Sequence, residues 1–239
     1  MRNDSQTRRM LEAFMVGFSA ALGAASVAVP SSAWCMEPDE IFLQISGAVM
    51  AVQAYDANNI VVGTGSAVLV QPERLLTTCH VLARASRIEI RQDEAAYGAD
   101  LLHIDLERDL CEIRAKHLHA KPVQIGDSDT VRVGKKVYTL GAPGGIELTF
   151  ADGMVSGLRK DKEGRLRYIQ TSAPISAGSS GGGLFDTEGT LIGITAMYRN
   201  NSQNLNFAIP INMHQELPAR SAAAMAATKH STTFKGQEK

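Results

Sequence analysis

Gly178-Ser179-Ser180-Gly181-Gly182-Gly183-Leu184 sets a serine among glycines. Upstream stand Thr77-Thr78-Cys79-His80-Val81 and then Asp109-Leu110-Cys111-Glu112-Ile113. A serine hydroxyl is a weak nucleophile until an imidazole accepts its proton, and that imidazole needs a third group to fix its tautomer. Ser180, His80 and Asp109 are the three residue types required. Glycines on either side of Ser180 let the backbone turn tightly, so that main-chain N–H groups can face a developing oxyanion. The stretch predicts an acyl-transfer site with Ser180 as nucleophile.

From residue 41 onward the hydrophobic pattern has a period of two. Val49–Ala54, Ile60–Val70, Arg87–Arg91, Val137–Leu140, Met154–Leu158, Leu166–Gln170 and Leu191–Met197 read as strands. They are short, rich in β-branched residues and separated by Gly, Asp, Asn and Pro. Strands at such regular spacing predict an all-β barrel or sandwich. Gly126-Asp127-Ser128-Asp129 is the best internal boundary, dividing the chain into a unit over 40–126 and another over 127–213. A single helix is expected within 214–239, either from Met213 to Ala227 with Asn212 as its cap or starting at Pro218. Lys229–Lys239 is polar and reads as a disordered tail.

Residues 1–33 are a different kind of sequence. Arg2, Arg8 and Arg9 precede an Ala/Gly-rich run from Ala13 to Val29, and Pro30-Ser31-Ser32-Ala33 supplies small residues before Trp34. This predicts a signal peptide and export to the periplasm or beyond the cell. The alternative is an N-terminal anchor, for which a run of 17 weakly apolar residues is short. Membrane contact is expected only if the segment stays uncleaved. A net charge of −1 and 5% aromatics give no case for nucleic acid as a partner.

Three cysteines, Cys35, Cys79 and Cys111, leave at least one without a partner inside the chain. Cys79 adjoins His80 and Cys111 lies two residues past Asp109, so a triad that joins those residues brings the sulfurs close. A Cys79–Cys111 disulfide and two small buried thiols are both open. Other histidines make weaker candidates. His117 and His119 fall on one side of an extended segment, but two ligands do not make a zinc site, and an exposed loop is the plainer reading. His103, His214 and His230 have no chemical company in sequence. No metal and no cofactor is expected.

Residues 60–213 resemble the protease domain of the HtrA (Deg-type) family within the trypsin-like serine proteases. The matching pieces are Gly63-Thr64-Gly65-Ser66, Leu76 to Val81, Asp105 with Asp109-Leu110, Leu140 to Gly145, Ile169-Gln170-Thr171, Ile175 to Phe185, Gly189 to Ile194 and Asn206 to Pro210. The resemblance implies two six-stranded antiparallel β-barrels with the active site between them. His80 and Asp109 come from the first barrel and Ser180 from the second. Ser180 attacks the scissile carbonyl, His80 is base and then acid, and Asp109 orients His80. The N–H groups of Gly178 and Ser180 form the oxyanion hole. Asp105 is the rival carboxylate, placed by the resemblance in a loop.

The sequence departs from that family in ways that bear on function. Ser179 stands where trypsin-type zymogens carry Asp and HtrA proteins usually Asn, which argues against activation by a freed N-terminus. Gly183 replaces a common Pro or Ala, and Ser172 a common Asp. With 26 residues after Met213, no PDZ domain is expected. Pro174 and Ile175, at the expected floor of the specificity pocket, predict small or medium apolar side chains at the cleavage point. Ala196-Met197-Tyr198 is expected to pair with substrate backbone. The function expected is a serine endopeptidase cutting exported or unfolded polypeptides. The alternatives are a protease-fold binding or chaperone protein with little hydrolysis, and a hydrolase of esters or few peptides. Oligomeric state is left open.

Overall fold

Met50 and Val52 face one core and Val49 the opposite one, so the first strand is buried on both faces. This explains why it reads as an unbroken apolar run. The computed structural model describes residues 36–145, 147–198 and 205–234. The signal-peptide or anchor expectation for 1–33 lies outside the described residues.

Six strands close the first barrel: β1 (Val49–Tyr55), β2 (Val61–Gln71), β3 (Arg74–Thr78), β4 (Arg87–Gln92), β5 (Ala95–Asp105) and β6 (Leu110–Ala115). Six more close the second: β7 (Lys136–Gly141), β8 (Thr149–Lys160), β9 (Leu166–Thr171), β10 (Gly183–Phe185), β11 (Leu191–Tyr198) and β12 (Asn206–Pro210). Neighbour order is β1-β2-β3-β6-β5-β4 in one and β7-β8-β9-β12-β11-β10 in the other, the same topology twice. All pairings are antiparallel. Closure removes most free sheet edges, which an open sheet would expose to aggregation.

Alternation sorts the side chains into three cores. Met50, Val52, Leu69, Leu75 and Ile113 fill the first barrel, and Val137, Val155, Ile169 and Leu184 the second. Between the barrels lie Val49, Val68, Leu76, Leu110, Leu140, Phe185 and Ile209. That shared layer couples the barrels, because separating them exposes fully buried apolar surface worth roughly 25 cal/mol per Å². The stretch around Gly126–Asp129 runs between β6 and β7 and docks on the second barrel, with Gly126 N–H donating to Leu191 C=O at 2.9 Å.

One helix is unexpected, and the C-terminal one starts within a residue of the Pro218 alternative. A short α1 (Pro38–Ile45) inserts Ile41 and Ile45 into the layer between the barrels. Its capping box, with Glu37 N–H donating to Glu40 Oε2, closes the first turn; eight residues are too few for a clear helical period. The C-terminal helix α2 spans Leu217–Phe234, after a 3₁₀ segment Ile211–Glu216. Pro218 sits in its first turn, where the missing N–H costs nothing. Asn212 does not cap this helix; its side chain bonds Ser128 N–H and Asp127 instead. Lys229–Phe234, expected as disordered tail, continues α2.

Asp105 is the anchor of α2. Its carboxylate accepts from Arg220 of the helix, and Arg108 stands 3.8 Å away. Burial pushes the Asp105 carboxyl up, but hydrogen bonds and positive charge from Arg220 and Arg108 together outweigh that and hold it below the ordinary carboxylate value. Ser221 Oγ, also on α2, accepts from Ile104 N–H.

Candidate active site

His80 and Asp109 meet because β3 and β6 are paired. Thr77 lies opposite Cys111 and Thr78 opposite Leu110, so the residue after β3 falls beside the residue before β6. Cys79 N–H donates to Asp109 C=O at 3.2 Å and continues the ladder by one step. The chain then turns into a 3₁₀ segment, Cys79–Leu82, that projects His80. Asp109 holds a left-handed backbone at φ 56°, a conformation aspartate tolerates better than most residues.

The Asp109 carboxylate grips His80 twice. One oxygen accepts from His80 N–H at 2.8 Å, and the other lies 2.6 Å from Nδ1. A carboxylate at Nδ1 places the proton there and leaves Nε2 as the acceptor. This hydrogen bond raises the His80 pKa above its ordinary 6.5; burial opposes it, and the charge of Asp109 adds to it.

Cys79 and Cys111 are joined as a disulfide. The bond ties the residue before His80 to the second residue after Asp109, and both sulfurs are buried.

Ser180 lies across the cleft on the turn between β9 and β10. A Cβ at Gly65 would stand 2.6 Å from the Val81 side chain and 2.9 Å from Ser180 C=O, so only glycine lets the His80 segment and the serine turn approach this closely. Gly181, at φ 89°, is equally constrained, since a Cβ there would stand 2.0 Å from Ser66 C=O. Ser180 Oγ donates to Ala196 C=O at 3.1 Å. It makes no hydrogen bond to His80. Among the described residues, the N–H groups of Gly178 and Ser180 have no acceptor. The flanking groups are used: Ser179 N–H donates to Ser176 C=O, and Gly144 N–H donates to Ala177 C=O.

The expected specificity residues are spread around this turn. Pro174 is exposed, and its C=O accepts from Thr139 Oγ1. Ile175 is buried. Thr139, Pro174, Ser176, Ser179 and Thr195 line a cavity of about 50 Å³ under the turn, with no charged side chain in its wall. Ala196 is buried and begins the last part of β11. Pairing with β10 reaches only Ile194, so Ala196–Tyr198 carries a partner on its β12 side alone among the described residues. The side chains of Met197 and Tyr198 lie outside the described residues.

His117 and His119 are exposed, and His117 N–H donates to Glu73. Among the described residues no three His, Cys, Asp or Glu side chains gather as a metal site. His103 does have company that the sequence hides. Its Nδ1 lies 2.6 Å from Glu112, which Arg74 also holds. The two face each other only because β5 and β6 pair in that register.

Two barrels of identical topology, with a histidine–aspartate pair on one and a glycine-flanked serine on the other, are the architecture of a trypsin-like peptidase. The chain belongs to that family: the trypsin-like peptidase domain model matches residues 65–194, which contain His80, Asp109 and Ser180. The chain is similar to the periplasmic pH-dependent serine endoprotease DegQ of Escherichia coli, 35% identical over 165 residues covering 65% of this chain and 36% of that protein. It is 34% identical over 150 residues to the chloroplastic protease Do-like 1 of Arabidopsis thaliana, covering 58% and 34% of the two chains. Among solved structures, the HtrA-type protease AlgW with tripeptide superposes with a TM-score of 0.69 at 30% identity, over 76% of this chain and 62% of that one. The chain spans between 30% and 39% of the length of the curated relatives it matches.

Proposed function

We propose that this protein is a serine endopeptidase that cleaves polypeptide chains through an acyl-enzyme. The observation that carries the reading is the doubly held His80–Asp109 pair facing a serine turn with two unused N–H groups. Substrate entry draws the Ser180 hydroxyl from Ala196 C=O to His80 Nε2, which takes the proton as Oγ attacks. Catalytic hydrogen bonds often form only with substrate in place. Asp109 stabilises the imidazolium, and the Gly178 and Ser180 N–H groups receive the oxyanion. His80 then gives its proton to the leaving amine, and water repeats the cycle on the ester.

Substrate backbone adds to the open side of Ala196–Tyr198 as an extra strand, a mode that suits unfolded chains and needs few side-chain contacts. The absence of charge around the Pro174 cavity favours small or medium apolar residues at the cleavage point. Basic residues would find no counter-charge there. The basic and apolar start of the sequence supports export, and the periplasmic naming of the Escherichia coli relative is consistent with it.

A second reading is favoured by one observation. Ser180 Oγ is bonded to Ala196 and not to His80, which leaves the hydroxyl without its base, as expected of a protease-fold binding protein that hydrolyses poorly. A fluorophosphonate probe separates the two. Labelling of the wild type, abolished in Ser180→Ala, is expected of the endopeptidase. A folded wild type that neither labels nor digests casein establishes the binding protein.

The pH profile is a further expected result. Only neutral His80 accepts the Ser180 proton, and Asp109 raises the pKa of His80. Activity therefore falls as pH drops through a value above 6.5. In Asp109→Asn the acid limb of kcat/KM moves to lower pH, because the carboxylate that favours the imidazolium is gone. A limb that stays in place removes Asp109 from this role.

A further inference from the structure

Ser66 belongs to the Gly63-Thr64-Gly65-Ser66 stretch, which is given no chemical role above. It sits on β2 of the first barrel and is fully buried at 0% exposure. Its hydroxyl donates to Gly178 C=O at 2.8 Å and accepts from Ala142 N–H at 2.8 Å. Its own N–H donates to Ser180 C=O at 2.7 Å, and its C=O accepts from Thr77 Oγ1 at 2.7 Å. One residue of the first barrel thus holds the nucleophile turn and the facing 142–145 loop of the second.

We infer that the Ser66 hydroxyl is a positioning group that sets the direction of the Gly178 N–H, and so builds the oxyanion hole across the barrel junction. This rests on the endopeptidase reading above. The C=O and N–H of a trans peptide point in opposite directions in one plane. In the Ala177–Gly178 peptide the C=O is held by Gly144 N–H at 3.3 Å, which turns the Gly178 N–H away from that loop. Gly144 is placed in turn by its loop, tied at Ala142 to Ser66 Oγ. On the far side of Gly178, the same oxygen fixes the next peptide through Gly178 C=O. Both peptide planes flanking Gly178 are therefore tied to one hydroxyl, the second of them also through Ser179 N–H on Ser176 C=O.

Backbone freedom at Gly178 makes such a clamp necessary. With φ at 92° and no side chain, Gly178 resists peptide rotation less than any other residue type. Close packing adds to the constraint, since a Cβ there would stand 2.3 Å from Gly144 N. Without the hydroxyl, Ala142 N–H and Gly178 C=O are both buried and unpaired, and rotation of the peptides around Gly178 is the way to find them partners.

The test is Ser66→Ala in the full chain, assayed on a chromogenic peptide with a small apolar residue at the cleavage point. Loss of one oxyanion donor lowers kcat by about 10²–10³-fold, so kcat is expected to fall about 100-fold with KM within about threefold. The affinity of a peptidyl boronate, whose tetrahedral adduct uses the same N–H groups, is expected to fall in parallel with kcat. Ser66→Cys, close in volume but with a weaker hydrogen-bonding group, is expected to lie between wild type and alanine, and it carries the comparison should the alanine variant not fold. A Ser66 variant with kcat and boronate affinity near wild type, whatever its melting temperature, overturns the inference. A wild type that takes no fluorophosphonate defeats the endopeptidase reading instead.

Discussion

Ser180→Ala is expected to lower kcat on an unfolded protein substrate by about 10⁶-fold while leaving the melting temperature within a few degrees of wild type. The size follows from the division of labour in the site. In the proposed mechanism His80 and Asp109 act only through the Ser180 hydroxyl, so its removal is expected to silence all three together, as in other triads where single and multiple deletions cost nearly the same. The small effect on stability follows from the contacts. Among the described residues Ser180 Oγ makes one hydrogen bond, to Ala196 C=O, and the turn is held by main-chain bonds and by the Ser66 and Thr195 hydroxyls, all of which alanine keeps. A neutral bond of this kind contributes about 1 kcal/mol. Initial rates of casein digestion, with a thermal melt of each protein, check both halves. Activity within tenfold of wild type removes Ser180 as nucleophile, and a large fall in melting temperature makes lost activity a folding effect.

Replacing both Cys79 and Cys111 by alanine is expected to destabilise the protein by about 3–4 kcal/mol. The bridge spans 32 residues of sequence, and chain-entropy reasoning gives a loop of that size about this much stabilisation. For a domain of about 200 residues this corresponds to a fall of roughly 7–15 °C in melting temperature. The closed loop contains β4 and β5, so the bond restrains much of the first barrel in the unfolded chain. Activity below the transition is expected to fall less than stability does, because β3–β6 pairing and the two Asp109 bonds still place His80. Denaturant melts of the variant against oxidised wild type give the answer. A midpoint unchanged by the double substitution shows that the bond contributes nothing to the native state.

Much of the candidate site was legible in the sequence because chemistry restricts residue type. A nucleophile turn needs glycines, and Gly65 and Gly181 tolerate no Cβ. Strands buried on both faces carry a strong apolar signal, which made β1, β2 and β11 readable. Other elements were not readable for physical reasons. β10 has three residues, too few to show a period. β5 is largely exposed, so burial imposes little alternation on it. Asp105 invites comparison with Asp109 in sequence. What separates them is Arg220, 115 residues downstream, which claims Asp105 for the C-terminal helix.

The sequence by itself determined the chemistry-bearing residue types, their order and the period-two pattern of an all-β chain. Those follow from local rules, since covalent neighbours and side-chain periodicity act over a few residues. Tertiary structure alone decided which partners those residues have. Strand pairing put Asp109 against His80, closed the Cys79–Cys111 bond and set His103 on Glu112. Packing of one barrel on the other brought Ser66 to the serine turn from 112 residues away. Hydrogen bonds and disulfides select partners by distance and direction in space, and no spacing along the chain encodes either until the barrels have closed.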